Sequence, residues 1–377
     1  MRIAVLGGGP AGLYFSTLWK QRHPADSVAL FEQNPAGATW GFGVVFSDRA
    51  LDFLRGDDPA TYDLITPRME TWQGITLFHP DGTETIDGIG FSAIGRLELL
   101  QLLQERARSV GVDLHFDRTV ASLDDLGDAD LIVGADGLNS IVRRAHEGDF
   151  GMSLSYLANK FAWYGTTKLF DTLSHTFVAT PDGPFNAHHY RYAPDMSTFL
   201  VETDRATWLR AGFAEMDDAA SQAKLETIFA GALDGRPLIA NRSSWRNFPL
   251  LWNERWSHRN RVLVGDALHT AHFSIGSGTR LAMEDVIALV RALEAQPDDL
   301  RAGLEAYEAA RKPIVAKLVR AATDSAIWYE DFGAHMKLSP PDFAYSYITR
   351  SGRIDNDRLR AVAPRFMARY DAHKSQG

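Results

Sequence analysis

Apolar residues come as short unbroken runs in some stretches and at helical or alternating spacing in others, and the order of these patterns organises the chain. Ile3 to Leu6 is a short β-favouring apolar run, and Leu13 to Trp19 continues with apolar residues at helical spacing. Gly7, Gly9 and Gly12 stand between and within them in G-x-G-x-x-G spacing, so the opening reads as strand, tight turn and helix. A second apolar strand, Val28 to Phe31, ends in Glu32. Alternation around Pro80-Asp81-Gly82 predicts a β-hairpin over 70–90 with its turn at the Asp-Gly pair. Leu97 to Val110 then reads as a helix opened by Ile94-Gly95-Arg96. Val112 to Phe116 and Ala129 to Val133 read as two further strands. The second of these runs into Gly134-Ala135-Asp136-Gly137-Leu138-Asn139-Ser140, another strand–glycine-turn–helix unit with Asn139 or Ser140 as N-cap.

Over 150–250 the helical periodicity weakens and aromatic residues increase. Alternating runs at Lys160 to Thr167, Thr176 to Thr180, Phe185 to Tyr192 and Thr198 to Thr203 predict a largely antiparallel sheet, with an amphipathic helical excursion over Ala214 to Leu233. From Arg261 the first pattern resumes: a buried strand Val262 to Val264, Gly265-Asp266, a loop holding Gly276 and Gly278, and a helix from about Thr279 to Leu293. Residues 301 to about 335 continue helical, and Leu338 to Gly377 ends on a helix-like stretch. The expected fold is mixed α/β (α+β): a discontinuous Rossmann-like part (1–70, 90–150 and 255–300), an inserted antiparallel-sheet part (71–89 and 151–254) and a helical C-terminal region (301–377).

The bulk numbers narrow the classes. At 377 residues the chain is too long for one ordinary core, and 45% apolar with 23% charged residues is ordinary for a globular protein. A net charge of −9 gives no reason to expect nucleic acid or an anionic membrane as partner. The absence of cysteine removes thiolate chemistry and Cys-ligated metal, and no metal site is expected. The glycine-interrupted N-terminus does not read as a signal peptide, no apolar run is long enough to span a bilayer, and a cytoplasmic location is expected.

Several residues carry candidate chemistry. Glycines at this spacing let a helix N-terminus approach a pyrophosphate, and an acid about 20 residues on is placed to accept from a ribose diol. Arg96 opens a helix, where a cation opposes the dipole; a bound phosphate would compensate it. Gly41 and Gly43, in the aromatic-rich segment 33–48, point to backbone close to a ligand. His188, Tyr190 and Tyr192 alternate onto one face of a strand and are candidate pocket residues, as are Trp163 and Phe273.

The segments GGGPAG with Glu32, Arg96 opening a helix, GADGLNSIVRR and GDALHTAHFSIGSGTRLAMED occur in an order that resembles the single-component FAD-dependent aromatic hydroxylases of the p-hydroxybenzoate hydroxylase type. LANKFAWYGTTKLFD, HHYRYAPDMSTFLVE, WRNFP and FAYSYITRSGRI resemble a narrower branch, that of salicylyl-CoA 5-hydroxylase and 2-aminobenzoyl-CoA monooxygenase/reductase, and share pieces with the hydroxylases of violacein biosynthesis. In the place of the Pro-rich turn that many of these hydroxylases carry stands Ala271-His272-Phe273-Ser274. The chain stops soon after the SGRI segment, which favours the stand-alone salicylyl-CoA type over the reductase fusions.

The resemblance implies FAD as cofactor, NADH or NADPH and O2 as co-substrates, and hydroxylation of an aromatic ring through a flavin C4a-hydroperoxide. The aromatic substrate is expected to be a small molecule, a CoA thioester first, with a tryptophan- or indole-type or free aromatic substrate, or a non-hydroxylating flavoprotein reductase, as alternatives. A monomer or homodimer is expected. By the same resemblance Gly7, Gly9, Pro10, Ala11 and Gly12 would bind the FAD pyrophosphate. Glu32, with Gln33 beside it, would hold the adenosine ribose, and Arg96 would contact the pyrophosphate or ribityl region. Asp136-Gly137 would lie near the FAD phosphates, Asp266 on the ribityl chain, and Gly276, Gly278 and Thr279 at the pyrimidine edge of the isoalloxazine. His272 and His188 are the candidate catalytic groups, as acceptors for a ring hydroxyl proton. Arg49, Arg242, Arg246, Arg280 and Lys160 are candidate cations for CoA phosphates, among which the sequence does not choose.

Overall fold

The computed structural model describes residues 1–47 and 51–376. The smaller of its two sheets has six strands in the order Ser257–His258, Arg261–Leu263, Leu131–Gly134, Arg2–Leu6, Ser27–Phe31 and Asp113–His115. Neighbours run parallel except at the edge formed by Ser257–His258. Ile3 to Leu6 and Leu131 to Val133 are buried, which is why they read as unbroken apolar runs: a central parallel strand is covered on both faces. Helix Pro10–Arg22 is buried from Ala11 through Trp19, held between this sheet and helices Gly278–Glu294 and Arg96–Ser109.

The larger sheet orders Leu238–Ala240, Met152–Thr166, Met196–Thr203, Gly183–Ala193, Leu173–Thr180, Glu70–His79, Gly82–Gly95 and Gly43–Ser47, with Arg246–Asn253 also paired to Met152–Thr166. It is antiparallel except where Glu70–His79 meets Leu173–Thr180. The hairpin turn at Asp81-Gly82 is present, and its second strand runs on to Gly95 and straight into helix Arg96–Ser109. Gly43–Ser47 and the strand up to Gly95 therefore join the large sheet, although the sequence pattern places them with the Rossmann-like part. Five residues carry no local sign of which sheet will accept them.

Over 214–233 a single amphipathic helix was expected. Asp217 instead caps a new start by accepting from Ala220 N at 2.8 Å, so the helix spans Asp218–Ile228 and a separate turn covers Ala230–Leu233. Helix Leu300–Glu330 is followed by Pro340–Thr349, Asn356–Val362 and Pro364–Lys374, which lie against strand Gly82–Gly95. Phe343, Tyr347 and Phe366 from these last helices share a buried cluster with Trp72, Phe177 and Trp328. Burying each such aromatic contributes about 1.5–3 kcal/mol, enough to bind the C-terminal helices to the sheet. Among the described residues no helix is long and apolar enough to cross a membrane.

Candidate active site

A cavity of 1090 Å³ lies between the two sheets. Gly9, Pro10, Ala11 and Asp266 line it from the small sheet, and His188 and Tyr190 from the large one. At the first end a Cβ on Gly7 (φ +103°) would stand 2.2 Å from Ala135 O, and one on Gly12 would stand 2.0 Å from Gly7 O. A Cβ on Gly9 would meet nothing within 4 Å, so Gly12 closes the turn on its own backbone, Gly7 packs it against Ala135 of the neighbouring turn, and Gly9 leaves open space beside helix Pro10–Arg22. No side chain caps that helix N-terminus, whose N–H groups are left for a ligand.

Arg96 lines the cavity with its Nε donating to Thr39 Oγ1 at 3.1 Å. Burial pushes its guanidinium down from the ordinary value, and the nearby Asp266 works the other way. Asp266 lies deep in the protein yet its side chain is open, because it opens onto the cavity. Burial raises its carboxyl, opposed by Arg96 and His269. The loop carrying it is braced from behind: His269 meets Asp285 at 2.7 Å, and Asp285 accepts from Arg311 Nε at 2.8 Å. Arg143 adds a second brace, donating to Ala267 O at 2.7 Å and to Leu138 O, so one buried guanidinium joins two walls of the cavity.

Gly276, Gly278 and Thr279 line the cavity where helix Gly278–Glu294 begins, again without a side-chain cap. Gly276 takes φ +59°, the left-handed turn that ends the segment Phe273–Ile275. An open helix N-terminus behind a glycine turn, a cation and a carboxylate on one cavity wall fit a dinucleotide. Besides Gly7 and Gly12, which shape the turn behind it, three expected residues sit off that wall. Glu32 accepts from Gly8 N at 2.7 Å and from Asn34 N at 2.8 Å, which holds its carboxylate at the glycine turn. Gln33 is exposed. Asp136 turns its Oδ2 to Ile141 N at 2.7 Å, and it is Gly137 and Leu138 that line the cavity.

The other end is aromatic. Trp163, Phe161, Phe273 and Tyr190 line it, and Tyr190 is fixed by donating from its hydroxyl to Gly43 O at 2.9 Å. Tyr192, expected beside it, packs instead on Gly43 and Gly95, because the strand shifts register between Arg191 and Ala193. His188 lines the cavity, and its Nε2 lies 3.6 Å from Glu202 Oε2, both atoms buried and without a hydrogen-bond partner among the described residues. Glu202 is held by Asn159, whose Nδ2 donates to its Oε1 at 3.0 Å. Burial raises the Glu202 carboxyl, and burial together with Arg350 pushes His188 down to about 3.

His272 takes a different place. Its ring lies against Phe273 and Phe248, with centroids at 4.0 and 4.8 Å, and its Nδ1 meets Ser274 Oγ at 2.9 Å. It is buried and does not line the cavity, so the two histidines that looked equivalent in sequence separate.

Arg350, His175 and Tyr347, which the sequence pattern did not single out, also line the cavity. Arg350 donates to Ser325 Oγ at 2.9 Å, Tyr347 O at 2.6 Å and Ser274 O at 2.8 Å, and stacks 3.9 Å over the Tyr347 ring. It forms no ion pair among the described residues, so its charge faces the pocket uncompensated. His175 Nε2 meets the Tyr347 hydroxyl at 2.7 Å. Glu202 was legible as a lone acid in the apolar run Phe199 to Thr203, whereas Arg350 comes from the tail and has no local signature.

A dinucleotide cradle continuous with an aromatic pocket, under a mixed sheet, defines the fold and site of a flavoprotein monooxygenase. The FAD binding domain family model matches residues 127–322. Salicyloyl-CoA 5-hydroxylase of a Streptomyces species is 40% identical over 381 residues, covering 98% of this chain and 73% of that protein. A 3-hydroxy-4-methyl-anthranilyl-[aryl-carrier protein] 5-monooxygenase of Streptosporangium sibiricum is 38% identical over 329 residues, covering 87% of this chain and 89% of its own. Among solved structures, 2-methyl-3-hydroxypyridine-5-carboxylic acid oxygenase superposes with a TM-score of 0.70 at 20% identity, over 96% of this chain and 98% of that one. The chain belongs to the FAD-dependent aromatic monooxygenases, with FAD as cofactor and NAD(P)H as co-substrate.

Proposed function

We propose that this protein hydroxylates the ring of an aryl thioester, salicyloyl-CoA first among the candidates, at the His188 end of the cavity. One observation carries the reading: the cavity that takes the dinucleotide also reaches an aromatic pocket lined by His188 and by Arg350, which forms no ion pair among the described residues. A relative that is 40% identical and bears that activity supports the choice of substrate. FAD, reduced by NAD(P)H, supplies the activation of O2 for transfer of one oxygen atom to the ring. Gly9, Pro10, Ala11, Arg96, Asp266, Gly276, Gly278 and Thr279 hold it, with Gly7 and Gly12 shaping the turn behind.

The chain's own part in the chemistry is orientation, exclusion of water and one proton. Trp163, Phe161 and Phe273 hold the ring in an apolar slot. A ring hydroxyl activates the carbon para to it more strongly as its proton leaves, and His188 Nδ1 is the acceptor. When Glu202 is ionised its charge, 3.6 Å from Nε2, favours the tautomer protonated there, which leaves Nδ1 free to take the proton. Arg350 stabilises the oxygen charge that develops, at a site where low polarity strengthens the attraction. His272 positions Ser274 and through it the cavity wall.

The test is oxidation of NADH and NADPH by the FAD-loaded protein with salicyloyl-CoA, free salicylate and tryptophan side by side, products read by mass. Stimulated oxidation with gain of one oxygen on the CoA thioester is expected. Stimulation by the free acid or tryptophan alone would move the substrate to the free-aromatic class. Oxidation without oxygen gain on any of them would make the protein a reductase.

A further inference from the structure

Most cations near the cavity already have partners. Of those singled out by sequence, Arg242 stacks 3.5 Å over Trp40, Arg280 donates to Glu284 at 2.8 Å, and Lys160 donates to Asn247 at 2.7 Å beneath Trp208. Arg49 lies outside the described residues. Arg246 remains: it lines the cavity and its one hydrogen bond is a 3.3 Å contact to Ser244. The tertiary structure brings in two more. Arg353 and Arg358 line the same cavity, are exposed, and form no ion pair or side-chain hydrogen bond among the described residues. Of the two acids between them, Asp355 accepts from Arg358 N at 2.8 Å as a helix cap, and neither Asp355 nor Asp357 forms an ion pair with Arg353 or Arg358 among the described residues. Though its side chain reaches solvent, partial burial and then the like charges of Arg280 and Arg358 hold the Arg353 guanidinium below the usual range.

Like charges gathered at a cavity without a counterion are unfavourable unless an anion completes the group. Guanidinium forks match phosphate oxygens two at a time, which selects phosphate over a diffuse negative surface. Ile348 and Ile354, on either side of Arg350 and Arg353 in the chain, line the cavity too and offer apolar surface for a flexible aliphatic arm. Tyr156, 59% exposed and also lining, offers an open aromatic face for a base. We propose that Arg353 and Arg358, assisted by Arg246, bind the phosphates of a coenzyme A thioester at the open end of the cavity, so that the aryl group enters on a nucleotide carrier. The proposal rests on the aryl-thioester reading above and adds to it the site that recognises the carrier.

The experiment uses the FAD-loaded full chain and three thioesters of salicylate: with coenzyme A, with 3′-dephospho-coenzyme A and with pantetheine. In the wild type KM should rise roughly tenfold or more as the phosphates are removed, with a smaller change in kcat. In the double variant Arg353→Gln/Arg358→Gln the ratio of KM between pantetheine and coenzyme A thioesters should collapse toward one, and free coenzyme A should inhibit less. FAD content and the visible spectrum of the variant report whether it is correctly folded and loaded; single variants replace it if it is not. Salt should raise the wild-type KM for the coenzyme A thioester more than that of the variant. If wild type and variant share the same KM series while both hydroxylate the coenzyme A thioester, the arginine site is overturned and the aryl-thioester reading stands. If the wild type hydroxylates free salicylate and no thioester, both fall. If a carrier-protein thioester is turned over and the three small thioesters do not differ, the nucleotide carrier is overturned.

Discussion

Glu202→Gln separates a proton-handling role from a packing role, because glutamine keeps the shape of the side chain and removes its charge. Glu202 Oε2 stands 3.6 Å from His188 Nε2 with no other partner among the described residues. A unit charge pair at that distance interacts by roughly 4–5 kcal/mol at an effective dielectric of about 20, and measured couplings between close charge pairs run from about 1.5–3 kcal/mol at their lower end. The smaller figure applies, since burial already works against the carboxylate. If Glu202 stabilises the imidazolium formed as His188 takes the ring proton, kcat should fall roughly tenfold to 150-fold. KM and FAD content should change little. The pH dependence is more diagnostic. Burial raises the Glu202 carboxyl, so as pH falls through that raised value the acid protonates and no longer stabilises the imidazolium that forms at His188. Wild-type kcat should therefore lose activity on the acid side, starting above the ordinary carboxylate range, and the variant should lack that limb. Stopped-flow and steady-state kcat across pH with saturating thioester measure both. A variant with kcat within twofold of wild type and the same acid limb refutes the role of Glu202.

The same substitution should raise the melting temperature of the holoprotein, and increasingly so as pH rises. A carboxyl raised by burial holds its proton more tightly folded than unfolded, so its cost to stability is absent below the ordinary carboxylate range and grows as pH climbs through the folded value; an equal shift at every pH would contradict this. Asp266→Ala should weaken FAD retention roughly tenfold to 100-fold, read as flavin-to-protein ratio after gel filtration, because a charged acceptor on the cavity wall is lost; unchanged flavin content would remove Asp266 from the FAD site. His272→Ala should cost about 1–3 kcal/mol of stability in a denaturant melt, from the lost bond to Ser274 and the gap between Phe248 and Phe273, and should keep the acid limb of kcat but move it to higher pH, because His272 no longer lowers the Glu202 carboxyl; loss of that limb would return His272 to proton transfer. Gly12→Ala places a Cβ 2.0 Å from Gly7 O and should yield protein without FAD or no soluble protein; normal flavin content would mean the turn can open.

Much of the dinucleotide end is local, and local features are legible. Strand, glycine turn and helix follow one another within about 20 residues, and Gly12 answers a contact inside that unit, against Gly7 O. The same holds for the Asp81-Gly82 hairpin and for Ser140, which caps the next helix by accepting from Arg143 N at 3.1 Å. Composition and apolar patterning determined the mixed α/β class, and the order of the motifs determined the family.

The pocket was decided elsewhere. His188 and His272 have equal standing in the sequence, yet strand pairing puts one on the cavity wall and aromatic packing seals the other away. Tyr190 and Tyr192 share an alternation that a single register shift breaks. Glu202 acquires its meaning from a histidine on the paired strand, and Arg350, Arg353 and Arg358 reach the cavity because the C-terminal helices fold back on strand Gly82–Gly95. The sequence by itself determined most of the elements and the family, since these rest on local patterns and contacts between near neighbours in the chain. The tertiary structure alone decided which charged and titratable side chains meet in the cavity, because those encounters depend on strand pairing and on how separate segments fold together: His188 meets Glu202 across paired strands, and Arg350 reaches Ser274 O from 76 residues away.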